Sequence, residues 1–332
     1  MNKLLIYGAT GYTGSMVARQ AKAAGLEFAI AGRDAGKLVT LARELDVPHS
    51  VFALDDHGVV IDALKDFAIV LNCAGPFART AEQLMRACIE SGAHYLDITA
   101  EIKGYQLAEQ LGQDAIDAGV MLMPGVGWDV VPTDCLSVQV ARRVEQPASL
   151  RIALQVAGSM SRGSAISARE IIGAGLMVRV DSVLVSTSDA QPASFDFGEG
   201  PVSCAPLSFG DLVTAWHSTG IPNIAMFVNV TGAAFPGGDL SKLPDGPTEE
   251  ERHRQRARAV VEIAGSNGSV ARSMIETVNG YSYTPLVAVE AARRVLAGEM
   301  RVGFDTPARL FGAGFAESIP GTRILDQLTG SR

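Results

Sequence analysis

The segment Gly8-Ala9-Thr10-Gly11-Tyr12-Thr13-Gly14 spaces three glycines as G-x-x-G-x-x-G, between an apolar run and a stretch of helical period. Glycines at such a turn let the backbone bend sharply and approach a pyrophosphate with no Cβ in the way. The helix that follows offers N–H groups and a partial positive charge to the anion. The spacing is a variant of the commoner G-x-G-x-x-G, and its place at the head of a β-α-β unit is what makes it informative. Gly8, Thr10, Gly11, Tyr12, Thr13 and Gly14 are therefore the first candidate cofactor contacts. The second apolar run ends Ala31-Gly32-Arg33-Asp34. A site for NAD places an acid at this strand end to accept from the ribose 2′-OH. Arg33 stands here instead, and a guanidinium grips a 2′-phosphate with a fork of donors. Lys37, one turn into the next helix, adds a second positive charge. Asp34 is predicted to cap that helix, which turns its carboxylate away from the phosphate. The expected cofactor is NADP(H).

Other groups suited to chemistry follow. Asp55-Asp56 closes the third apolar run; in one reading Asp55 accepts from an adenine amino group, in the other the pair caps the helix at His57. Small residues in Cys73-Ala74-Gly75-Pro76 let a loop backbone run along the pyrophosphate and nicotinamide ribose. Cys73 reads as a packing residue rather than a nucleophile, since no base is visible nearby. Hydride transfer also needs a group that supplies a proton or polarises the acceptor. Asp97 after the fifth apolar run, Glu101 opening the next helix and Asp129 beside Trp128 after the sixth are the groups best placed for this, with Asp97 and Asp129 the candidate catalytic acids. Desolvation against Trp128 would raise the Asp129 pKa toward neutrality. Each has a bland alternative: Glu101 as first-turn helix charge, Asp129 or Asp134 as a cap or hinge hydrogen-bonder. The five histidines show no metal-ligand spacing, and no metal is expected. No tyrosine has a lysine four residues on, so the Tyr-x-x-x-Lys pair of short-chain dehydrogenases is absent.

Positioning these groups falls to an alternating scaffold. Apolar runs at 3–7, 27–31, 50–54, 68–72, 94–98 and 120–123 are separated by helical stretches at 12–24, 35–45, 57–65, 80–90 and 102–118. Several helical stretches stop at a glycine, as at Gly25, Gly92 and Gly119, where a left-handed cap costs least. Strands alternating with such helices imply right-handed crossovers and a parallel sheet covered on both faces. The expected class is α/β: a Rossmann doubly wound sheet over residues 1–128. After Met123-Pro124-Gly125-Val126-Gly127-Trp128-Asp129 the texture changes. A helix is predicted over 133–143, strands over 150–157, 180–186, 223–230 and 270–278, helices over 165–178, 249–264 and 285–297, and a loop over 235–247. This reads as a second, mixed α+β domain over 129–299 for substrate and dimerisation, with 300–332 packing back on the first. The mixed-sign run Glu249-Glu250-Glu251-Arg252-His253-Arg254-Gln255-Arg256 reads as a solvated helix face.

The composition narrows the class further. The 332 residues are 47% hydrophobic and 19% charged, with a net charge of −8. No basic field exists to hold a nucleic acid. Four scattered cysteines without a C-x-x-C pair argue against disulfides and structural zinc. No apolar run reaches the roughly 20 residues that span a bilayer. A soluble, cytoplasmic protein with a small-molecule substrate is expected, with a homodimer open.

Gly8–Gly14, Ala31-Gly32-Arg33-Asp34, Asn72-Cys73-Ala74-Gly75-Pro76-Phe77 and Tyr95-Leu96-Asp97-Ile98-Thr99-Ala100-Glu101 resemble the NADP-binding part of the saccharopine dehydrogenase-like family, whose relatives include trans-acting enoyl reductases. The resemblance continues in Gly127-Trp128-Asp129-Val130-Val131-Pro132-Thr133-Asp134 and resumes at Gly280-Tyr281-Ser282-Tyr283-Thr284-Pro285 and Gly303-Phe304-Asp305-Thr306-Pro307-Ala308. It implies NADPH use and a Rossmann domain followed by a mixed α/β domain whose last segment returns to the first. The expected activity is hydride transfer from NADPH to a C=C, C=N or C=O group of a small or lipid-like substrate held between domains. The competing expectation is a redox sensor that binds NADP(H) without turnover.

Overall fold

The computed structural model describes residues 3–231 and 238–327. In chain order the elements begin β1 (Leu4–Tyr7), α1 (Tyr12–Ala23), β2 (Phe28–Gly32), α2 (Ala35–Leu45), β3 (His49–Val51), α3 (His57–Leu64), β4 (Ile69–Asn72), α4 (Ala81–Ser91), β5 (His94–Asp97), α5 (Ile102–Gln110), α6 (Gly112–Asp117) and β6 (Met121–Met123). They continue α7 (Val131–Ala141), β7 (Pro147–Ala157), α8 (Arg162–Gly173), β8 (Met177–Val180), β9 (Val183–Ser186), β10 (Ala193–Asp196), β11 (Pro201–Pro206), α9 (Asp211–Thr219) and β12 (Asn223–Thr231). The last are α10 (Glu249–Arg254), β13 (Arg256–Gly265), β14 (Val270–Val278), α11 (Gly280–Leu296), β15 (Gly303–Phe304), α12 (Pro307–Phe311) and β16 (Arg323–Gln327).

The chain divides into two compact units, residues 1–128 with 284–310, and residues 129–283 with 311–332. The first is a seven-stranded sheet in the order β15-β6-β5-β4-β1-β2-β3, and every pairing in it is parallel. The order reverses between β1 and β4, the switch point of a doubly wound sheet. Strands β1, β2, β4 and β6 are buried along their whole length, as a sheet covered on both faces requires. Helices α2 and α4 each end on a left-handed residue, Asp46 and Gly92, that closes the last turn. The second unit is a mixed nine-stranded sheet, β10-β11-β12-β7-β13-β14-β16, with the β8–β9 hairpin attached to β12. Among the described residues the β7–β12 pairing is the only parallel one in it; the others are antiparallel.

Several expectations are corrected here. Residues 284–310, rather than 300–332, join the Rossmann unit, because β15 pairs with β6. Residues 311–327 stay with the second unit, because β16 pairs with β14. The helix expected over 249–264 stops at Arg254, and Arg256–Gly265 is a strand between β7 and β14. Its Glu, Arg and Ala are good helix formers, yet two neighbouring strands outweigh that propensity. The strand expected over 180–186 is a hairpin turning on Asp181 and Ser182, both at positive φ. The long helix over 102–118 breaks at Leu111, and the strand over 50–54 is the shorter β3. Helix α11 begins before Pro285 and carries it inside. Of the loop expected over 235–247, residues 235–237 lie outside the described residues, as do 328–332 at the C-terminus. No described helix is long and apolar enough to cross a membrane.

One face of the second sheet is held by buried carboxylates among arginines. Glu276 on β14, 5% exposed, meets Arg256 and Arg258 of β13 and Arg323 of β16. Glu262 meets Arg151 of β7 and Arg272 of β14. Burial pushes the Glu276 carboxyl up, but its arginines outweigh that and hold it below the ordinary glutamate value. A depressed pKa stabilises the fold above the ordinary value, and that stability is lost as pH falls through the lowered one. Glu276→Gln should therefore lower the Tm at pH 7, and the gap to the parent should shrink toward pH 3. A gap independent of pH would show that the charge contributes nothing.

Candidate active site

The glycine turn is shaped by what a side chain would hit. Gly8 has φ +78°, and a Cβ there would lie 2.7 Å from the backbone nitrogen of Ala74. A Cβ on Gly14 would lie 2.2 Å from the Gly8 carbonyl oxygen. The turn thus presses the β1 exit against the loop after β4, at the switch point. Helix α1 starts behind Gly11 with no side-chain cap, so its N-terminus is left to bind an anion. Thr10, Gly11, Tyr12 and Thr13 all keep some exposure. This uncapped, Cβ-free cradle fits a dinucleotide pyrophosphate.

At the end of β2, Asp34 accepts from the Lys37 backbone N–H at 3.0 Å and so caps α2, as the sequence predicts. Its carboxylate is committed to its own helix. Arg33 and Lys37 are exposed on either side. At the end of β3 the pair Asp55-Asp56 separates: Asp56 caps α3 through the Val59 N–H, while Asp55 is left exposed. The Tyr7 hydroxyl donates to the Phe52 carbonyl. Burial pushes its pKa up, and the charges of Arg33 and Asp55 act on it in opposite senses. The exits of β1, β2 and β3 therefore share one electrostatic neighbourhood.

Beyond β4 and β5 the structure brings together residues that sequence reasoning did not connect. Asn72 and Asp97 are register partners across β4 and β5. Tyr95 lies two residues before Asp97 on the same face of its strand. The Tyr95 hydroxyl donates to Asp97 Oδ2 at 2.8 Å and accepts from Asn72 Nδ2 at 3.1 Å. Asp97 Oδ1 accepts from the backbone N–H of Thr99 and of Gly125, each at 2.9 Å. The side chain is fully buried. Burial pushes its pKa up to about 6, while these hydrogen bonds pull the other way. Asn72 Oδ1 accepts from Ala74 N–H, and the Thr80 hydroxyl donates to the Ala74 carbonyl. Glu101, which caps no backbone of its own helix, reaches back to accept from Phe77 N–H and Ala78 N–H. Asp97 and Glu101 thus hold the two loops that carry Cys73, Ala74, Gly75 and Pro76 and the Gly125 turn. The Gly75–Pro76 peptide bond is cis. Cys73 is buried, and burial with the nearby Asp97 charge pushes its thiol far up, which makes it a packing residue.

Asp129 begins the second unit and is half-buried; burial pushes its pKa up to about 6. Of the arginines near α8, Arg162 pairs with Asp245 and Arg169 donates to the Gly238 carbonyl. A groove of about 400 Å³ in the second unit, lined by Ile172, Pro192, Ala205, Pro206 and Val228 among others, has no ionisable group in its walls. It offers no acid–base chemistry. Among the described residues, no group of three or more His, Cys, Asp or Glu is arranged to hold a metal.

Removing the Tyr95 hydroxyl as Tyr95→Phe leaves the Asn72 amide and Asp97 Oδ2 each one partner short. The expected cost is about 1–3 kcal/mol of stability, read by urea denaturation. An unchanged midpoint would show that this network does not hold the loops.

Residues 4–123 match the family model of the saccharopine dehydrogenase NADP binding domain. The human saccharopine dehydrogenase-like oxidoreductase is 28% identical over 151 residues, 40% of this chain and 35% of that protein. A lipid droplet localized protein of Caenorhabditis elegans is 28% identical over 145 residues, 40% of this chain and 34% of its own. The trans-acting enoyl reductase of Mycobacterium bovis is 28% identical over 149 residues, 42% of this chain and 35% of that enzyme. The matches span about a third of the length of these relatives. In fold, the chain is similar to the saccharopine dehydrogenase (L-Glu forming) of Saccharomyces cerevisiae, with a TM-score of 0.67 at 12% identity over 98% of this chain and 100% of that one. Residues 4–123 are thus similar to the saccharopine dehydrogenase NADP binding domain, and the fold of the chain is similar to that of a saccharopine dehydrogenase.

Proposed function

We propose that this chain is an NADPH-dependent reductase that reduces a C=C, C=N or C=O group, with Asp129 as proton donor. The observation that carries the cofactor choice is the commitment of Asp34 to its helix cap, which leaves Arg33 as the charged group at the β2 exit. An acid free at that place would repel a 2′-phosphate; a guanidinium and Lys37 attract it. Gly8, Gly11 and Gly14 with the α1 N-terminus would hold the pyrophosphate, and the 73–76 loop would serve the nicotinamide ribose. Asp55 is the group available for the adenine amino group, since Asp56 is used as a cap.

The bound cofactor supplies the hydride. The protein supplies orientation and a proton. Asp97 reads as a positioning residue: it is buried, and both its oxygens are engaged in holding strand exits. Asp129 is better suited to give a proton away, because it is half-exposed and its pKa of about 6 keeps a usable protonated fraction near neutrality. The names of the relatives include an enoyl reductase, which favours a conjugated C=C acceptor as the first class to screen.

Arg33→Ala should weaken NADPH binding about 10- to 100-fold, the loss of one or two charge-assisted hydrogen bonds, and leave NADH binding unchanged. Equal losses for both cofactors, by fluorescence titration, would defeat the 2′-phosphate reading. With an acceptor in hand, turnover should fall as pH rises above about 6, because the acid form of Asp129 is the active one. Asp129→Asn should lower kcat at least tenfold with NADPH affinity intact, a typical loss for a general acid being about 100- to 10,000-fold. Full turnover by that variant would remove Asp129 from the chemistry.

A further inference from the structure

The motif Gly280-Tyr281-Ser282-Tyr283-Thr284-Pro285 opens α11, and the proposed reaction makes no use of it. Its residues nevertheless have definite partners. Asn279, just before the helix, accepts from the Tyr281 N–H at 3.0 Å through its side-chain oxygen. The Asn279 carbonyl accepts from the Ser282 and Tyr283 N–H groups. The Tyr281 hydroxyl accepts from the Ser161 N–H at 2.8 Å, and Tyr283 is fully buried. Pro285 lies inside the helix, where its ring narrows the backbone freedom of itself and of Thr284. Thr284 therefore projects from a firmly held turn. Its hydroxyl oxygen accepts from the backbone N–H of Trp128 at 3.1 Å.

Trp128 ends the short strap that leads from β6 to Asp129. The Gly125 N–H goes to the Asp97 carboxylate at 2.9 Å, and the Val126 N–H to the Asp97 carbonyl at 2.7 Å. Gly127 lies between Ile98 and Thr284: a Cβ built on it would be 3.5 Å from a side-chain carbon of each. The Trp128 N–H then goes to Thr284. The β5 exit thus holds the start of the strap, and the first turn of α11 holds its end. Asp129 comes one residue beyond that second anchor. It is half-buried, and burial rather than any hydrogen bond is what moves its pKa. A carboxyl of this kind takes its direction from the backbone that carries it.

We propose that Thr284 is a positioning residue for the proton donor: its hydroxyl oxygen holds the Trp128 N–H and so sets where the Asp129 carboxyl points. The inference rests on the proposed role of Asp129. Thr284 gives and takes no proton in the reaction; it acts only through the main chain. A serine at 284 keeps the accepting oxygen, whereas a valine keeps the branched shape and loses it. Without that oxygen the Trp128 N–H is left to water, and the strap is released at the end that carries Asp129. The carboxyl then reaches water more fully, and the burial that raises its pKa is relieved. Asp211 of α9 is within electrostatic reach of Asp129. It is unaltered in both variants, so a change in the Asp129 titration between them reports the strap.

The anchor is read on the full chain without substrate. Labelling with 15N-tryptophan gives two backbone amide signals, because the chain has two tryptophans. Trp216, inside α9, is the internal reference. The Trp128 amide should exchange with solvent slowly in the parent and in Thr284→Ser, and about tenfold faster in Thr284→Val. Trp216 should exchange alike in all of them. Fast exchange at Trp128 in the parent overturns the anchor by itself, so the test survives a Thr284→Val chain that fails to fold. The effect on Asp129 is read with carboxyl-13C aspartate, its signal being the one missing from Asp129→Asn. Its midpoint should lie near 6 in the parent and in Thr284→Ser. In Thr284→Val it should fall by about half a pH unit or more, toward the ordinary aspartate range. An unmoved midpoint in Thr284→Val defeats the proposal, as does a serine variant that behaves like the valine one. NADPH affinity, by fluorescence titration, should be the same throughout; a loss in Thr284→Val would mean a disturbed cofactor cradle instead of a turned carboxyl. The two ideas fail separately. Full turnover by Asp129→Asn removes the donor whatever Thr284 does, and an unmoved Asp129 titration removes Thr284 while the donor stands.

Discussion

The carboxylate of Asp97 is the point on which the first unit turns. Every strand exit of a parallel sheet ends in backbone groups with no ladder partner, and a binding loop there must satisfy them without filling the site. Asp97 meets two such demands with one side chain and ties in two neighbouring side chains as well. It takes the Tyr95 hydroxyl, the Thr99 and Gly125 N–H groups and, through Tyr95, the Asn72 amide. Because it is fully buried, each bond is stronger than it would be in water, and each missing one would be expensive. The Gly125 turn, the β4 exit and the β5 exit are thus one piece. Glu101 extends that piece to the Phe77–Ala78 backbone from the far side of the same loop.

The second unit is organised differently. One sheet face pairs buried glutamates with arginines, and the guanidinium of Arg151 lies over the Phe195 and Phe227 rings at 4.8 and 5.4 Å. Small alternating residues on β13 leave room for helices on the opposite face, where α7 is buried on nearly all sides. A helix buried all round cannot avoid carrying polar residues inward when its sequence contains them. In α7 these are Thr133, Asp134 and Ser137, and α9 answers with Asp211 and Thr214.

Much of the Rossmann unit was legible because its signals are local. Strand–helix alternation, the glycine turn, the Asp34 cap and the glycine stops at Gly25, Gly92 and Gly119 depend on residues a few positions apart. Strands β13, β10, β11 and β16 were not legible for the opposite reason. Arg256–Gly265 reads as helix by propensity and becomes strand only because β7 and β14 flank it. The β8–β9 hairpin turns on Asp181 and Ser182 with no glycine to announce it. The Asn72–Tyr95–Asp97 network spans 25 positions, and only strand register joins its ends.

The sequence alone therefore determined the class of the first unit, the glycine cradle and the charge at the β2 exit, since each is written in short-range spacing. Tertiary structure decided which acids face which groups. It tied Asp34 and Asp56 to their helices, enclosed Asp97 among donors and left Asp129 half-exposed. It also drew Asp211 against α7, some 80 positions from Asp129. Burial and neighbouring charge set a carboxyl's chemistry, and both arise only when distant segments pack.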